Sequence, residues 1–192
     1  MKIATDRYTR LPLVHPTAEA AKTAKLSTHD VRVAFALSGH TLHAQFRVAL
    51  YYRPNTLPDL KGQGPHWGLW EGDVVELFLR VGDSHYFEFQ VSPLGQDFEL
   101  KVIEPRTNVD REFRSGMLAR TEHRAWAGEW DTAMEIDLAR LGWQGDRSTI
   151  SGNAFAILGK DQPRMHYGLF LPPQEKPDFH LPEHFKKLPG IG

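Results

Sequence analysis

Aromatic and acidic side chains are concentrated in one short segment, His66 to Glu76, which contains Trp67, Trp70, Asp73 and Glu76. An exposed indole can stack on the apolar C–H face of a sugar, while neighbouring carboxylates accept hydrogen bonds from the sugar hydroxyls. The alternative is that one or both Trp side chains close an open end of the fold, and we favour that alternative for Trp67. The segment therefore predicts a small-ligand site around Trp70, with a purely structural role kept open.

Glu76 lies in a run in which Val75, Leu77 and Leu79 occupy alternate positions. Because successive side chains of a strand point to opposite faces, a core-facing set at these three positions places Glu76 on the other face, beside Phe78. A carboxylate among apolar neighbours either accepts a hydrogen bond from an adjacent strand or loop, or serves as a ligand acceptor at the rim of a pocket. From the residues alone, the structural alternative is favoured for Glu76.

The C-terminal segment contains His180, Glu183 and His184, which together match the H-x-x-E-H pattern of inverted zinc peptidases. That pattern binds zinc only when both His side chains share one face of a helix. Pro182 lies inside it and is tolerated only in the first turn of a helix, so a zinc site is not expected. The sequence shows neither a nucleophile elbow nor a glycine-rich phosphate loop. No catalytic residue, metal site or cofactor is predicted.

Alternation of apolar and polar residues predicts about nine short strands, joined by Gly and Pro turns, and one helical turn from Leu138 to Trp143 that Gly142 ends. The expected strands cover residues 31–37, 42–50, 75–81, 87–91, 98–102, 117–126, 130–137 and 153–158. This pattern predicts an all-β fold, an antiparallel β-sandwich of immunoglobulin-like or jelly-roll-like type. Residues 54–70 are expected to form a long loop, and the chain from residue 172 onward an irregular C-terminal tail across the sandwich.

Length and composition limit the possible partners. The 192 residues, 41% hydrophobic and 11% aromatic, have the size and character of one globular domain, so residues 1–192 are expected to form a single β-sandwich domain. The formal net charge of −1 argues against nucleic acid as a partner. The sequence has no apolar run long enough to span a bilayer, so a soluble protein without a membrane partner is expected. The N-terminal residues lack the apolar run of a signal peptide, which predicts a cytoplasmic location, or export if a signal peptide has been removed.

Two segments near the centre of the chain, 69–79 and 86–95, resemble family 9 carbohydrate-binding modules and the wider DOMON-like group. The tail segment Pro177–Phe185 is similar to the closing segment of the same family. Between them, Trp130–Leu138 resembles a late strand with its short helical turn, and Gly152–Phe155 the strand that follows. The resemblance implies a β-sandwich whose loops at one end hold the terminal sugar of a glycan between two aromatic rings.

Carried over by position, the resemblance assigns ligand-binding roles to three residues, and the sugar-binding hypothesis adds two neighbouring carboxylates. Trp70 falls on the first ring of the clamp and Phe179 on the second, where the family's binding members have Trp. Glu76 falls on a hydroxyl-binding carboxylate, with Asp73 and Glu88 as neighbouring acceptors. Glu88 stands where the binding members carry Arg. A clamp of this kind requires the two rings to face each other about 7–8 Å apart, with one sugar ring between them.

The sequence therefore predicts a non-catalytic carbohydrate-binding domain whose partner is a mono- or oligosaccharide. One alternative is a DOMON-like domain that binds another small ligand, such as haem held by Met and His, although no spacing marks an axial pair. Another is a structural or interaction sandwich without a small ligand, in which the Trp70 region belongs to the core. An enzyme is the least favoured interpretation.

Overall fold

Eleven strands in two antiparallel sheets form the described part of the chain. The computed structural model describes residues 3–4, 7–12, 30–49, 65–82, 84–124, 128–159, 164–170 and 177–191. The strands are β1 (Thr9–Arg10), β2 (Asp30–Ser38), β3 (Thr41–Ala49), β4 (Val74–Val81), β5 (Tyr86–Val91), β6 (Asp97–Glu104), β7 (Asn108–Asp110), β8 (Leu118–Arg124), β9 (Glu129–Asp137), β10 (Ile150–Leu158) and β11 (Met165–Gly168). The predicted all-β sandwich is confirmed.

The five-stranded sheet has the order β1-β2-β3-β9-β8, and the six-stranded sheet the order β11-β10-β4-β5-β6-β7. Strands β4, β5 and β6 form a meander, because each pairs with the next through a short turn. The edge strands β1, β7 and β11 have two to four residues each. They are too short to show an alternating pattern, which is why the sequence did not predict them.

The main core lies between the two sheets. Strands β3 and β9 alternate strictly between buried and half-buried residues, except at the exposed last residue of β9. This pattern is expected of a sheet with one face against a core and one face toward solvent. The largest inward side chains are Phe35, Phe46, Phe87, Phe89 and Trp130.

A second apolar layer covers the outer face of the six-stranded sheet. Its aromatic members include Phe78, Tyr86, Phe98, Phe155 and Phe185. Strand β5 is buried at every position, and β4 at its first six, because the sheet is covered on both faces here. The cover comes from chain segments that are irregular rather than from a third sheet.

The C-terminal tail supplies part of this cover, as predicted. Lys186 forms an antiparallel bridge with Gly152 on β10, with backbone hydrogen bonds of 2.9 and 3.1 Å. A Cβ at Gly152 would collide with the carbonyl oxygen of Phe78 on β4, so the glycine allows β10 and β4 to approach closely where the tail bridges β10. Residues 172–176 of the predicted tail lie outside the described residues.

The segment that precedes β4 lies over the same sheet. Of the long loop predicted at 54–70, residues 54–64 lie outside the described residues. Pro65 forms a parallel bridge with Asp97 at the start of β6. Gly68, in the left-handed region at φ 93°, then turns the chain into a short 3-10 helix, Leu69–Glu71. These contacts place the loop beside the meander.

The helical turn predicted after β9 is present as a 3-10 helix, Leu138–Leu141. The Asp137 carboxylate accepts a hydrogen bond of 3.0 Å from the Ala139 N–H, and Gly142 ends the helix at φ 90°. Two more 3-10 helices, Arg147–Thr149 and Pro182–His184, occur in the described ranges. Across those ranges, we find no helix with the length and apolar character that spanning a membrane requires.

Candidate functional site

A cavity of about 390 Å³ opens on the outer face of the six-stranded sheet. Its floor includes the polar side chains of Glu76 on β4 and of Glu88 and Gln90 on β5. The register explains their proximity: Glu76 lies opposite Gln90 in the antiparallel pair, and Glu88 shares the face of Gln90 two positions earlier. The volume falls in the range of roughly 300–1,000 Å³ typical of small-molecule sites.

Glu76 is a buried carboxylate that lines this cavity. It is 2% exposed, and within the described residues it makes no hydrogen bond and no ion pair. Burial, together with the charge of Glu88, raises the pKa of Glu76 well above its ordinary value, while Arg164 acts in the opposite direction. The sequence predicts a carboxylate among apolar neighbours, with either a structural or a ligand-binding role. The structure places this carboxylate in the cavity floor.

Glu88 and Gln90 form a second polar pair in the floor. The Gln90 side-chain N–H donates to the Glu88 carboxylate. Burial raises the pKa of Glu88 to about 7, against the lowering effect of this bond. The other polar atom of Gln90, Oε1, is buried and has no hydrogen-bond partner in the part of the chain that the structure describes. A buried acceptor left unpaired is unfavourable, so a ligand that donates to it gains from the arrangement.

Two indoles of the loop before β4 form one wall of the cavity. The rings of Trp67 and Trp70 meet edge to face, with centroids 4.6 Å apart. The Arg111 guanidinium lies 3.8 Å from the centroid of the Trp67 ring. Trp67 is 45% exposed and lines the cavity, so the expectation that it closes an end of the sandwich is wrong. The reason is that the loop lies on the outer face of a sheet rather than over the inter-sheet core.

Phe179 brings the tail to the opposite wall. Its ring stacks on Phe155 of β10, with centroids 4.0 Å apart and planes 9° from parallel. His166 of β11 contacts its edge, with centroids 5.8 Å apart. Phe179 is half-buried, and it lines the same cavity as the half-buried Trp70. The tail therefore folds back to the Trp70 loop, as the predicted clamp requires, while the spacing of 7–8 Å between the two rings stays a prediction.

Asp73, the fifth residue assigned to ligand binding, is not among the residues that line the cavity. Its carboxylate accepts a hydrogen bond of 2.8 Å from the Gly159 N–H and lies 3.9 Å from the Arg164 guanidinium. The same guanidinium donates to the carbonyl oxygens of Trp70 and Gly72. Asp73 and Arg164 thus hold the Trp70 loop against the sheet, which indicates a positioning role for Asp73.

The His residues of the H-x-x-E-H pattern are separated in the structure. His180 lines the cavity, where its Nδ1 lies 2.7 Å from the Tyr86 hydroxyl. His184 instead lies beside Glu183, 4.0 Å away, in the 3-10 helix that begins at Pro182. Among the described residues, no three His, Asp or Glu side chains are grouped so that they could hold a metal ion.

Several residues that line the cavity are not predicted from the sequence. Gln90 and Arg111 belong to different elements from Trp70, and no local pattern connects them to it. Sequence alternation does place Gln90 on the face of Glu88, which is the one signal that could have identified it. Among the described residues that line the cavity there are two His and no Met, which gives no support to haem held by Met and His.

No protein-family model matches the chain. The UPF0462 protein C4orf33 of Homo sapiens is 30% identical over 150 residues, which cover 73% of this chain and 70% of the human protein. Its homolog in Mus musculus is 30% identical over 130 residues, or 64% of this chain and 63% of the mouse protein. A protein of Arthroderma benhamiae named "Extracellular protein" is 23% identical over 137 residues. The match thus spans less than two thirds of the mouse relative.

Two solved structures have a similar fold. A candidate carbohydrate-binding protein from Bacteroides uniformis superposes with a TM-score of 0.68 at 18% identity, over 93% of this chain and 83% of that one. A family 9 carbohydrate-binding module from Caldicellulosiruptor kristjanssonii, in complex with cellotriose, gives a TM-score of 0.53 at 10% identity, over 85% and 72% of the two chains. At these identities the likeness shows a shared β-sandwich fold.

Proposed function

The chain belongs to the UPF0462 family, and we propose that it is a single non-catalytic domain that binds the terminal sugar of a carbohydrate in the cavity of the six-stranded sheet. One observation carries the proposal. The cavity combines aromatic walls with a floor that holds the buried Glu76 and Glu88 carboxylates and Gln90 Oε1, a buried acceptor with no hydrogen-bond partner in the described chain. Sugars offer the complementary surface, since they present apolar C–H faces and donating hydroxyls.

Each wall has a role in this proposal. Trp70 and Phe179 stack on the sugar from two sides, with Phe179 supported from behind by Phe155. Glu76, Glu88 and Gln90 Oε1 accept hydrogen bonds from its hydroxyl groups. The fold shared with the Bacteroides uniformis protein and with the cellotriose-bound module supports this placement.

The affinity should be modest. Sugar hydroxyls must lose hydration before they bind, so the net free energy is expected to be about 5–8 kcal/mol, which corresponds to micromolar to sub-millimolar binding.

The proposal is tested by titrating the protein with glucose, cellobiose and cellotriose while tryptophan fluorescence and heat are recorded. Saturable quenching is expected, and Trp70→Ala should abolish it. Trp143→Phe is the matched control, because Trp143 is buried in the main core and is not among the lining residues of the cavity. Chromatography of the ligand after incubation should recover it unchanged.

Two results would contradict the proposal. The first is the absence of binding across a panel of mono- and oligosaccharides up to about 10 mM, a concentration above the weakest affinity expected. The second is equal binding by the wild type and Trp70→Ala. Cleavage of an oligosaccharide that depends on Glu76 or Glu88 would instead show a catalytic role for the carboxylates.

A further inference from the structure

The cavity floor holds two buried carboxylates, and neither forms an ion pair with a Lys or Arg of the described residues. Glu76 is 2% exposed and Glu88 is 4% exposed. Glu88 accepts the bond from Gln90, and the nearest His nitrogen, Nε2 of His180, lies 4.0 Å from it. Two buried carboxylates in one site repel each other when both are ionised. Ionisation of both groups is therefore unfavourable unless a ligand brings a positive charge between them.

The cationic side chains at the border of the cavity have other partners. Arg106 forms an ion pair with Asp178 of the tail. Arg111 stacks over the Trp67 ring. Arg164, which lies before β11, is bonded to carbonyl oxygens of the Trp70 loop and paired with Asp73. Arg164 still lowers the pKa of Glu76 from a distance, but among the described residues none of the three guanidinium groups forms an ion pair with Glu76 or Glu88.

We propose that the ligand of this cavity carries a protonated amine, bound between Glu76 and Glu88, and that the carbohydrate it recognises is an amino sugar. This inference rests on the proposed function, because it specifies the class of sugar that the same site accepts.

The acceptors of the floor match the donors of an ammonium group. A primary ammonium has three N–H donors and no acceptor. The cavity offers the Glu76 carboxylate, the Glu88 carboxylate and the unpaired Gln90 Oε1. Hydrogen bonds between ionised partners are roughly twice as strong as neutral ones, so a charged donor gains more here than a hydroxyl.

The aromatic lining also favours a positive charge. The faces of Trp and Phe rings attract cations through the ring quadrupole, and the attraction increases when water is excluded. Trp70, Phe78 and Phe179 all line the cavity. The same rings can stack on the apolar face of the sugar, so one site serves both parts of the ligand.

The protonation states of the surrounding groups agree with this assignment. Burial raises the pKa of Glu88 to about 7 and that of Glu76 well above its ordinary value, so ionisation of both carboxyls is disfavoured in the empty site. Burial lowers the pKa of His166 on β11 and of His180 in the tail, so both rings are neutral there. Tyr86 of β5 has a raised pKa and is neutral as well. Binding of an ammonium should ionise the carboxylates and release protons.

The test is calorimetric titration with glucosamine, N-acetylglucosamine and glucose at about pH 6.5, where the amine is protonated. We expect glucosamine to bind at least about tenfold more tightly than either neutral sugar, and to release protons. Proton release is measured as a difference in observed heat between two buffers of different ionisation enthalpy. Glu76→Gln should remove the preference, whereas Glu122→Gln, an exposed carboxylate on β8 of the other sheet, should preserve it.

The outcomes separate the two proposals. If N-acetylglucosamine or glucose binds as tightly as glucosamine, the inference of a cationic ligand is wrong and the carbohydrate-binding function stands. If glucosamine fails to bind while a neutral sugar of the panel binds, only the inference of a cationic ligand is overturned; if nothing in the whole panel binds, both proposals are overturned. The comparison of ligands uses the wild-type chain, so it remains decisive even if Glu76→Gln fails to fold.

Discussion

Replacement of Glu88 by Gln should stabilise the empty protein, and the gain should depend on pH. The folded chain raises the pKa of Glu88 from 4.5 to about 7 because the carboxyl group is buried. Between these two values the folded state holds a proton that the unfolded chain has already lost, so the wild type loses stability as the pH rises through this window. Since one pKa unit corresponds to ~1.36 kcal/mol, the cost above pH 7 is about 3 kcal/mol.

Gln retains the oxygen that accepts the bond from Gln90 but cannot ionise. We therefore expect Glu88→Gln to exceed the wild type in unfolding free energy by about 3 kcal/mol near pH 8, and to match it near pH 4, where the wild-type carboxyl is protonated as well. The measurement is urea unfolding of both proteins across this range. The difference between them is the relevant quantity, because the lowered pKa values of His166 and His180 make stability rise with pH over part of the same window.

Two outcomes would refute this reasoning. If the variant is less stable than the wild type near pH 8, the ionised carboxylate has stabilising partners that outweigh its burial. If the gain is the same at all pH values, it does not come from ionisation of Glu88. Glu122→Gln is the matched control and should show little change, because this carboxylate is exposed.

Three further substitutions test the walls of the cavity and their support. Trp70→Ala should lower the unfolding free energy by less than about 2 kcal/mol because Trp70 is half-buried, whereas Trp130→Ala in the core should cost ~3–5 kcal/mol. Equal losses for the two variants in urea unfolding would place Trp70 in the core. Phe179→Ala should weaken sugar binding about tenfold, and Phe179→Trp, with its larger stacking face, should strengthen it. Titration calorimetry measures both effects, and unchanged affinity in both variants would show that Phe179 does not contact the sugar. Gly152→Ala should cost about 1–3 kcal/mol because its Cβ meets the Phe78 carbonyl of β4. Since Gly152 also bridges Lys186, a shift of β10 should speed amide exchange in residues 177–191; exchange at the wild-type rate would show that docking of the tail does not depend on the position of β10.

Much of the fold could be predicted because strand signals are local. The alternation in β3 and β9 survives in the structure as alternating burial, and the Gly and Pro turns separate the strands of the meander. The end of the 3-10 helix at Gly142 is also encoded locally, since the backbone there adopts φ 90°, which favours glycine. Strands of two to four residues at the sheet edges carry too little pattern to be predicted.

Individual site residues were less predictable, because a side chain's role depends on what covers it. Asp73 and Glu76 are three positions apart and both are buried. The Asp73 carboxylate accepts a hydrogen bond from the Gly159 N–H and pairs with Arg164, whereas Glu76 has no such partner in the described chain. Trp67 appeared to be a structural residue but is exposed at the cavity wall. No local spacing distinguishes these cases.

The sequence by itself determined an all-β chain whose strands β4 and β5 present carboxylates on the face opposite the core, because strand periodicity is a property of neighbouring residues. Tertiary structure decided that this outer face is covered, and by what. The bridge of Lys186 to Gly152 and the stacking of Phe179 on Phe155 bring the tail over the sheet, and Arg164 holds the Trp70 loop opposite it. These contacts join positions far apart in the chain, and they alone turn two strand carboxylates into the buried floor of a cavity.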